Sequence, residues 1–444
     1  MKKFFDLMER VLMPIAAKIG GQRHMAAIRD AFSTLMAPLI IGSLAVLVNT
    51  FPVPGFQEFM TATFGEVWML PGVLIQNMTM GILGLLVALS LGYHLGRSYK
   101  LDGFTSSFMA AITFLILSAM TEDRSAILFN WIGAKGLFLA MISSILAIEV
   151  FRFIVSRGWT IKMPEGVPPA VSKGFIALVP AIVIFTAAGL IAAVAFSLTG
   201  GLSVAELMYK TLQAPFQEMS NSLISVCLLM FARGFLWFFG IHGTNVLSGL
   251  TNSMLLPNME ANIAAFAAGN PIPNIATTSF TDAFVSMGGT GVGLALIIAI
   301  LIASKNKASR DLAIGSTPGG LFNINEPIMY GMPVVLNPML LIPFLLTPVL
   351  CVIIAWIATE IGLVPRTVAM IPWNMPIIIG GFLATGGSIS GAILQVVNIA
   401  VSVLVYIPFV KLNDRVAVKE MADAEAKTEA ENAAVENTVQ ANAE

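Results

Sequence analysis

Asn323-Ile324-Asn325-Glu326-Pro327-Ile328-Met329-Tyr330-Gly331-Met332-Pro333 interrupts a long apolar stretch, Leu312 to Thr359, and carries its one charged residue, Glu326. A lone carboxylate inside a bilayer costs about 2.5–3.5 kcal/mol on insertion scales, so it is kept where it faces a cavity, a partner or a substrate. Pro327 and the two asparagines argue against a plain helix. Irregular backbone at membrane depth is tolerated only when buried in protein or lining a water-filled cavity. The stretch therefore predicts a broken membrane segment with a binding site on it.

Working outward, the composition agrees. Of 444 residues, 57% are hydrophobic and 11% charged, and the mean hydropathy is +0.85. Soluble domains carry about 25% charged residues, so the chain reads as an all-α polytopic membrane protein. A formal net charge of −1 argues against nucleic acid as a partner. Cys227 and Cys351 stand far apart in apolar runs, without metal or redox spacing, and read as packing thiols. No GxxxxGK[ST] is present. Gly288-Gly289-Thr290-Gly291-Val292-Gly293 misses the dinucleotide spacing and predicts close helix packing instead.

Apolar segments long enough to span lie at about 31–51, 73–95, 103–120, 136–156, 175–199, 222–242, 283–303, 334–358 and 387–410. Lys2, Lys3, Arg10, Lys18, Arg23 and Arg29 precede the first span, Arg97 and Lys100 follow the second, and Arg152, Arg157, Lys162 and Lys173 follow the fourth. The positive-inside rule makes these sides cytoplasmic. The 222–242 span then runs inward, and so does 283–303, which ends at Lys305, Lys307 and Arg310. Two consecutive spans cannot both run inward, so a further crossing is predicted within 243–282. Ten crossings result, with both termini cytoplasmic.

Broken, Gly/Asn/Pro-rich crossings are where transporters bind substrates. Three such regions, 243–282, 312–333 and 364–386, fall in the second half. This predicts an amphipathic surface segment at 1–30, a scaffold at 31–200, a substrate-handling part at 201–412 and a disordered tail at 413–444. Hydropathy allows 312–333 and 364–386 to be re-entrant.

The candidate site residues follow. Glu326 has three readings: an acid paired with Arg233, a proton carrier, or a direct acceptor of hydroxyls from a polar, uncharged ligand. His242, at the end of Phe235-Leu236-Trp237-Phe238-Phe239-Gly240-Ile241-His242, is a hydrogen-bonded packing residue, or a catalytic candidate that hydrogen-bonds a sugar hydroxyl or accepts its proton as a general base. Trp373 and Trp237 are stacking candidates or interfacial anchors. Asn274 and Thr281, within a hydroxyl-rich run ending at Asp282, predict a polar wall, and Asn323 and Asn325 flank the acid.

Gly240-Ile241-His242-Gly243, followed some eighty residues on by Asn323-Ile324-Asn325-Glu326-Pro327, resembles the membrane IIC component of bacterial phosphoenolpyruvate-dependent sugar phosphotransferase systems. It is most similar to the lactose/cellobiose/diacetylchitobiose branch, and the resemblance covers nearly the whole chain. It implies ten transmembrane helices with two re-entrant hairpins and a homodimer joined through the first half, in the bacterial cell membrane. It further implies a β-linked disaccharide bound by Glu326 and His242, which position its 6-hydroxyl. The chain would need no cofactor, the phosphate arriving from a phosphocysteine on a separate cytoplasmic IIB protein, supplied in turn by IIA and the general carrier proteins. The alternative is a proton-coupled secondary transporter that releases unmodified sugar, with Glu326 carrying the proton.

Overall fold

The computed structural model describes residues 22–51, 55–161, 163–164, 166–332, 334–335 and 337–441. Most of the amphipathic segment predicted at 1–30 lies outside the described residues. Among the described residues the chain is helical, with no strand beyond an isolated bridge between Met120 and Ile127. Among the described residues six helices are long and apolar enough to cross a membrane, or seven if Val204–Ser220 and Leu223–Phe238, bent by 78°, count as one span.

The first half contains α1 (Arg23–Asn49), α2 (Leu83–Ser98), α3 (Gly103–Leu117), α4 (Leu137–Ser156) and α5 (Pro169–Thr199). The second half contains α6 (Leu223–Phe238), α7 (Gly243–Ala267), α8 (Thr278–Phe284), α9 (Gly293–Ala303), α10 (Lys307–Leu321), α11 (Glu326–Gly331), α12 (Pro338–Glu360), α13 (Ile379–Ala384) and α14 (Ile389–Ala441). Polar side chains set several starts. Gln22 accepts from the Met25 N–H at 2.8 Å to open α1, and Asp102 accepts from Thr105 at 3.0 Å to open α3. Asp102 also receives the Lys173 ammonium at 2.8 Å, and these bonds hold its carboxyl down at about 2. The last helix runs on through the Ala/Glu-rich segment whose composition predicts a disordered tail; those residues have high intrinsic helix propensity.

Two departures from the sequence reading matter for the site. The 283–303 segment is not one helix: α8 ends at Phe284 and α9 begins at Gly293. Between them, Gly288, Gly289 and Gly291 all take left-handed φ (74°, 87° and 78°). The glycines therefore make a turn rather than a helix-packing stripe. A Cβ on Gly289 would strike the Asn325 amide, and one on Gly291 the Phe344 ring. The second departure is that α7, where the further crossing is predicted as broken, is one continuous helix. The weakly apolar 243–282 stretch holds a helix of 25 residues, about 37 Å long at 1.5 Å per residue.

Packing divides along the chain. One apolar cluster gathers Leu35, Leu39, Leu83, Leu91 and Ile148 with other first-half residues; a second gathers Phe280, Phe284, Ile297, Phe344 and Tyr406 from the second half. α7 serves both, with Leu255 in the second cluster and Leu256, Met259 and Ile263 in the first.

Candidate functional site

Arg233 and Trp237 stand one turn apart on α6, both buried. The helix ends at Phe238, Gly240 turns the chain at φ 76°, and His242 becomes the N-cap of α7. There its Nδ1 accepts the Asn245 N–H at 3.2 Å. A neutral ring with Nδ1 accepting carries its proton on Nε2. That Nε2 lies 3.7 Å from Oε1 of Glu326, beyond a direct hydrogen bond. Both side chains are partly open, His242 at 37% and Glu326 at 45%. Trp237 packs against the imidazole with ring centroids 4.4 Å apart.

Glu326 opens the short helix α11, and the two asparagines before it hold it in place. Asn323 takes φ 62°, a conformation asparagine tolerates better than most side chains. Its Oδ1 accepts the Gly288 N–H at 2.7 Å, and its Nδ2 donates to the carbonyls of Trp373 at 2.7 Å and Met375 at 3.2 Å. Asn325 Nδ2 donates to the Thr290 carbonyl at 2.9 Å. Two of the broken regions, 312–333 and 364–386, and the turn at Gly288–Thr290 are thus tied together at the acid.

These groups surround a cavity of about 430 Å³, bordered by His242, Glu326, Trp237, Trp373, Asn323, Asn325, Thr281 and Arg233 among others. The size suits a small-molecule site. Of the eight sequence candidates, seven therefore meet here. Asn274 does not: its Nδ2 donates to the Asn258 carbonyl at 3.3 Å and its backbone N–H to Asn262 at 2.9 Å, bracing the loop after α7. The two tryptophans differ. Trp237 is 1% exposed, so it supports His242; Trp373 is 48% exposed and offers an open ring face. Thr281 is 2% exposed and donates to the Thr278 carbonyl at 2.9 Å.

Glu326 faces His242 and not Arg233. The guanidinium of Arg233 instead donates to Thr244 at 3.2 Å, which bonds Thr290 at 3.0 Å, and it interacts electrostatically with Asp282. Asp282 also borders the cavity and was missing from the sequence candidates. The available signal was charge balance: an acid and a base, each isolated in apolar sequence, favour each other. His24 and His94 lie elsewhere, bonded to Glu149 and Thr34, each at 2.8 Å.

With this geometry in hand, similarity to known proteins is informative. A family model described as "Phosphotransferase system, EIIC" matches residues 29–348. The lichenan permease IIC component of Bacillus subtilis (strain 168) is 36% identical, over 96% of this chain and 97% of that protein. The cellobiose-specific EIIC component of Geobacillus stearothermophilus is also 36% identical, over 95% and 97%. Among solved structures, the crystal structure of ChbC, the IIC component of an N,N'-diacetylchitobiose-specific phosphotransferase system, superposes with a TM-score of 0.89. It shares 37% identity, covering 94% of this chain and 99% of that one.

Proposed function

The chain belongs to the EIIC family of the phosphotransferase system, in its cellobiose/lactose branch, and from that premise we propose that it binds a β-linked disaccharide in the 430 Å³ cavity and presents its 6-hydroxyl for phosphorylation by a separate IIB protein. One observation carries this reading: His242 Nε2 and Glu326 Oε1 stand 3.7 Å apart on the cavity wall, too far to satisfy each other. A hydroxyl between them accepts from His242 and donates to Glu326 at the same time.

The hydroxyl oxygen attacks the phosphorus of the IIB phosphocysteine, the P–S bond breaks, and the thiolate leaves. The hydroxyl proton passes to Glu326, because His242 already spends its Nδ1 lone pair on the α7 cap. Positioning supplies most of the rate in such transfers. Once phosphorylated, the sugar carries negative charge beside Glu326, so release to the cytoplasm is favoured over return.

The same reading includes ten crossings, with 312–333 and 364–386 entering and leaving on one side. It also places both termini in the cytoplasm, beside the basic loops, and joins two copies through the first half. Product chemistry tests it. Vesicles holding this protein, loaded with IIB, IIA and the general carriers, should accumulate only phosphorylated disaccharide. Accumulation of free sugar driven by a pH gradient, without those proteins, would overturn it in favour of proton coupling.

A further inference from the structure

A second cavity, of about 400 Å³, lies farther along α7. It is bordered by Gln76, Asn77, Asn130, Gln217, Tyr209 and Glu260, drawn from four parts of the chain. Among the described residues, none of these side chains makes a hydrogen bond or ion pair. Gln213, beside them, shows the contrast: its Nε2 is committed to the Ala134 carbonyl at 2.6 Å. Amides without hydrogen-bond partners, a phenol, and a carboxylate that interacts electrostatically with Lys135 are donors and acceptors a polyol uses. Lys135 on the same wall disfavours a metal cation, and the described residues hold no cluster of three or more metal-binding side chains.

The position is as informative as the chemistry. Asn245, Ser248, Asn252 and Leu256 border the first cavity, and Glu260 and Ala264 the second, all at three- or four-residue spacing along one face of α7. Leu256 and Glu260 are one turn apart, about 6 Å of rise. The layer between is apolar. Leu39, Leu256 and Met370 face the first cavity, Met80 and Ile263 face the second, and all five belong to one buried cluster. Pro257 sits in that layer inside α7, where its missing N–H weakens the helix.

We propose that the second cavity is a capture site for a β-linked disaccharide, separated from the first by the Leu256–Pro257 turn. The proposal rests on the disaccharide reading of the first cavity. Sugar arriving from outside docks on the free amides and Glu260, then passes the apolar layer when the turn opens. The test uses the full chain in proteoliposomes. Gln217→Cys, in a Cys227→Ala background, is labelled from outside with a membrane-impermeant maleimide. Cellobiose should slow labelling at least fivefold, and should still do so when Glu326→Gln is added, since the two sites are independent.

Glu260→Gln combined with Asn130→Ala should raise the KM for uptake at least fivefold. Phosphorylation of cellobiose supplied with IIB on the cytoplasmic side should keep its wild-type KM. Labelling unaffected by cellobiose, or equal losses from both sides, would overturn the proposal. If wild-type protein phosphorylates none of cellobiose, lactose and diacetylchitobiose, the reading of the first cavity fails instead.

Discussion

His242 performs two tasks with two nitrogens, and the division can be tested. Nδ1 caps α7 while Nε2 faces the cavity. Asparagine is a strong N-cap, so His242→Asn should fold normally yet lose the outward donor. We expect disaccharide affinity to fall by five- to tenfold, about 1–1.4 kcal/mol, with the thermal midpoint in detergent nearly unchanged. Wild-type affinity in that variant would make His242 a capping residue only. For Glu326, replacement by glutamine keeps the size and removes the charge. Binding should weaken tenfold or more, about 1.4 kcal/mol, and phosphoryl transfer should fall further, by roughly a hundredfold, as expected for loss of a proton acceptor. Titration calorimetry and single-turnover transfer from phospho-IIB separate the two effects. Equal losses in both would reduce Glu326 to a binding group.

Between the residue and the molecule, the site depends on how short elements are joined. Asn323 links the 286–292 turn, α11 and the irregular chain near Trp373 through three hydrogen bonds, from a left-handed backbone. Asn323→Ala loses all three and adds backbone strain. A cost of about 2–4 kcal/mol is expected from stranding buried partners. Sugar binding should fall too, although the side chain is spent on protein contacts. Asn323→Gly relieves the strain alone and should recover only a minor part, read by thermal unfolding in detergent.

In the first half, the Asp102 carboxyl is held at about 2 by Lys173 and Thr105. Its folded pKa is depressed, so its contribution is present above the usual carboxylate range and is lost as pH falls toward 2. Asp102→Asn keeps the cap without the charge. The stability gap to wild type should be at most about 1 kcal/mol at pH 7, because Lys173 is largely solvated. It should close between about pH 4 and 2; a gap independent of pH would remove the ion pair from the account.

At the scale of the whole molecule, α7 is, among the described residues, the one long helix shared by both apolar clusters, and it carries His242 at its start and Glu260 most of the way along. A helix so placed moves with either half only by repacking Leu255, Leu256 and Met259. Leu256→Ala should therefore be costly, about 2–5 kcal/mol for a buried leucine, measured by urea or thermal unfolding. It should also thin the layer between the cavities. An unchanged unfolding midpoint would show that this contact is already loose in the folded protein.

How much was legible in the sequence follows from what each signal measures. Hydropathy reports transfer to lipid, residue by residue, so it marked the apolar spans and made Glu326 conspicuous as an isolated charge. Charge counting along the chain required another crossing within 243–282, where α7 lies, and the broken composition singled out the segments that surround the cavity. It could not tell an amide free to face a ligand from one already bonded, so Asn274 counts among the candidates, and it left Asp282 out because the balancing charge, Arg233, lies about fifty residues away in sequence. It read the Gly288–Gly293 run as helix packing because a left-handed turn and a helix stripe both require glycine.

By itself, the sequence determined a membrane-embedded helical protein of the EIIC family with a broken segment bearing one acid. Only the tertiary structure decided how the acid is set, 3.7 Å from His242 and not paired with Arg233, and that Asn323 spends its amide on two other segments, the 286–292 turn and the chain near Trp373. Those outcomes depend on hydrogen-bond distances between residues tens of positions apart, and local composition carries no such information.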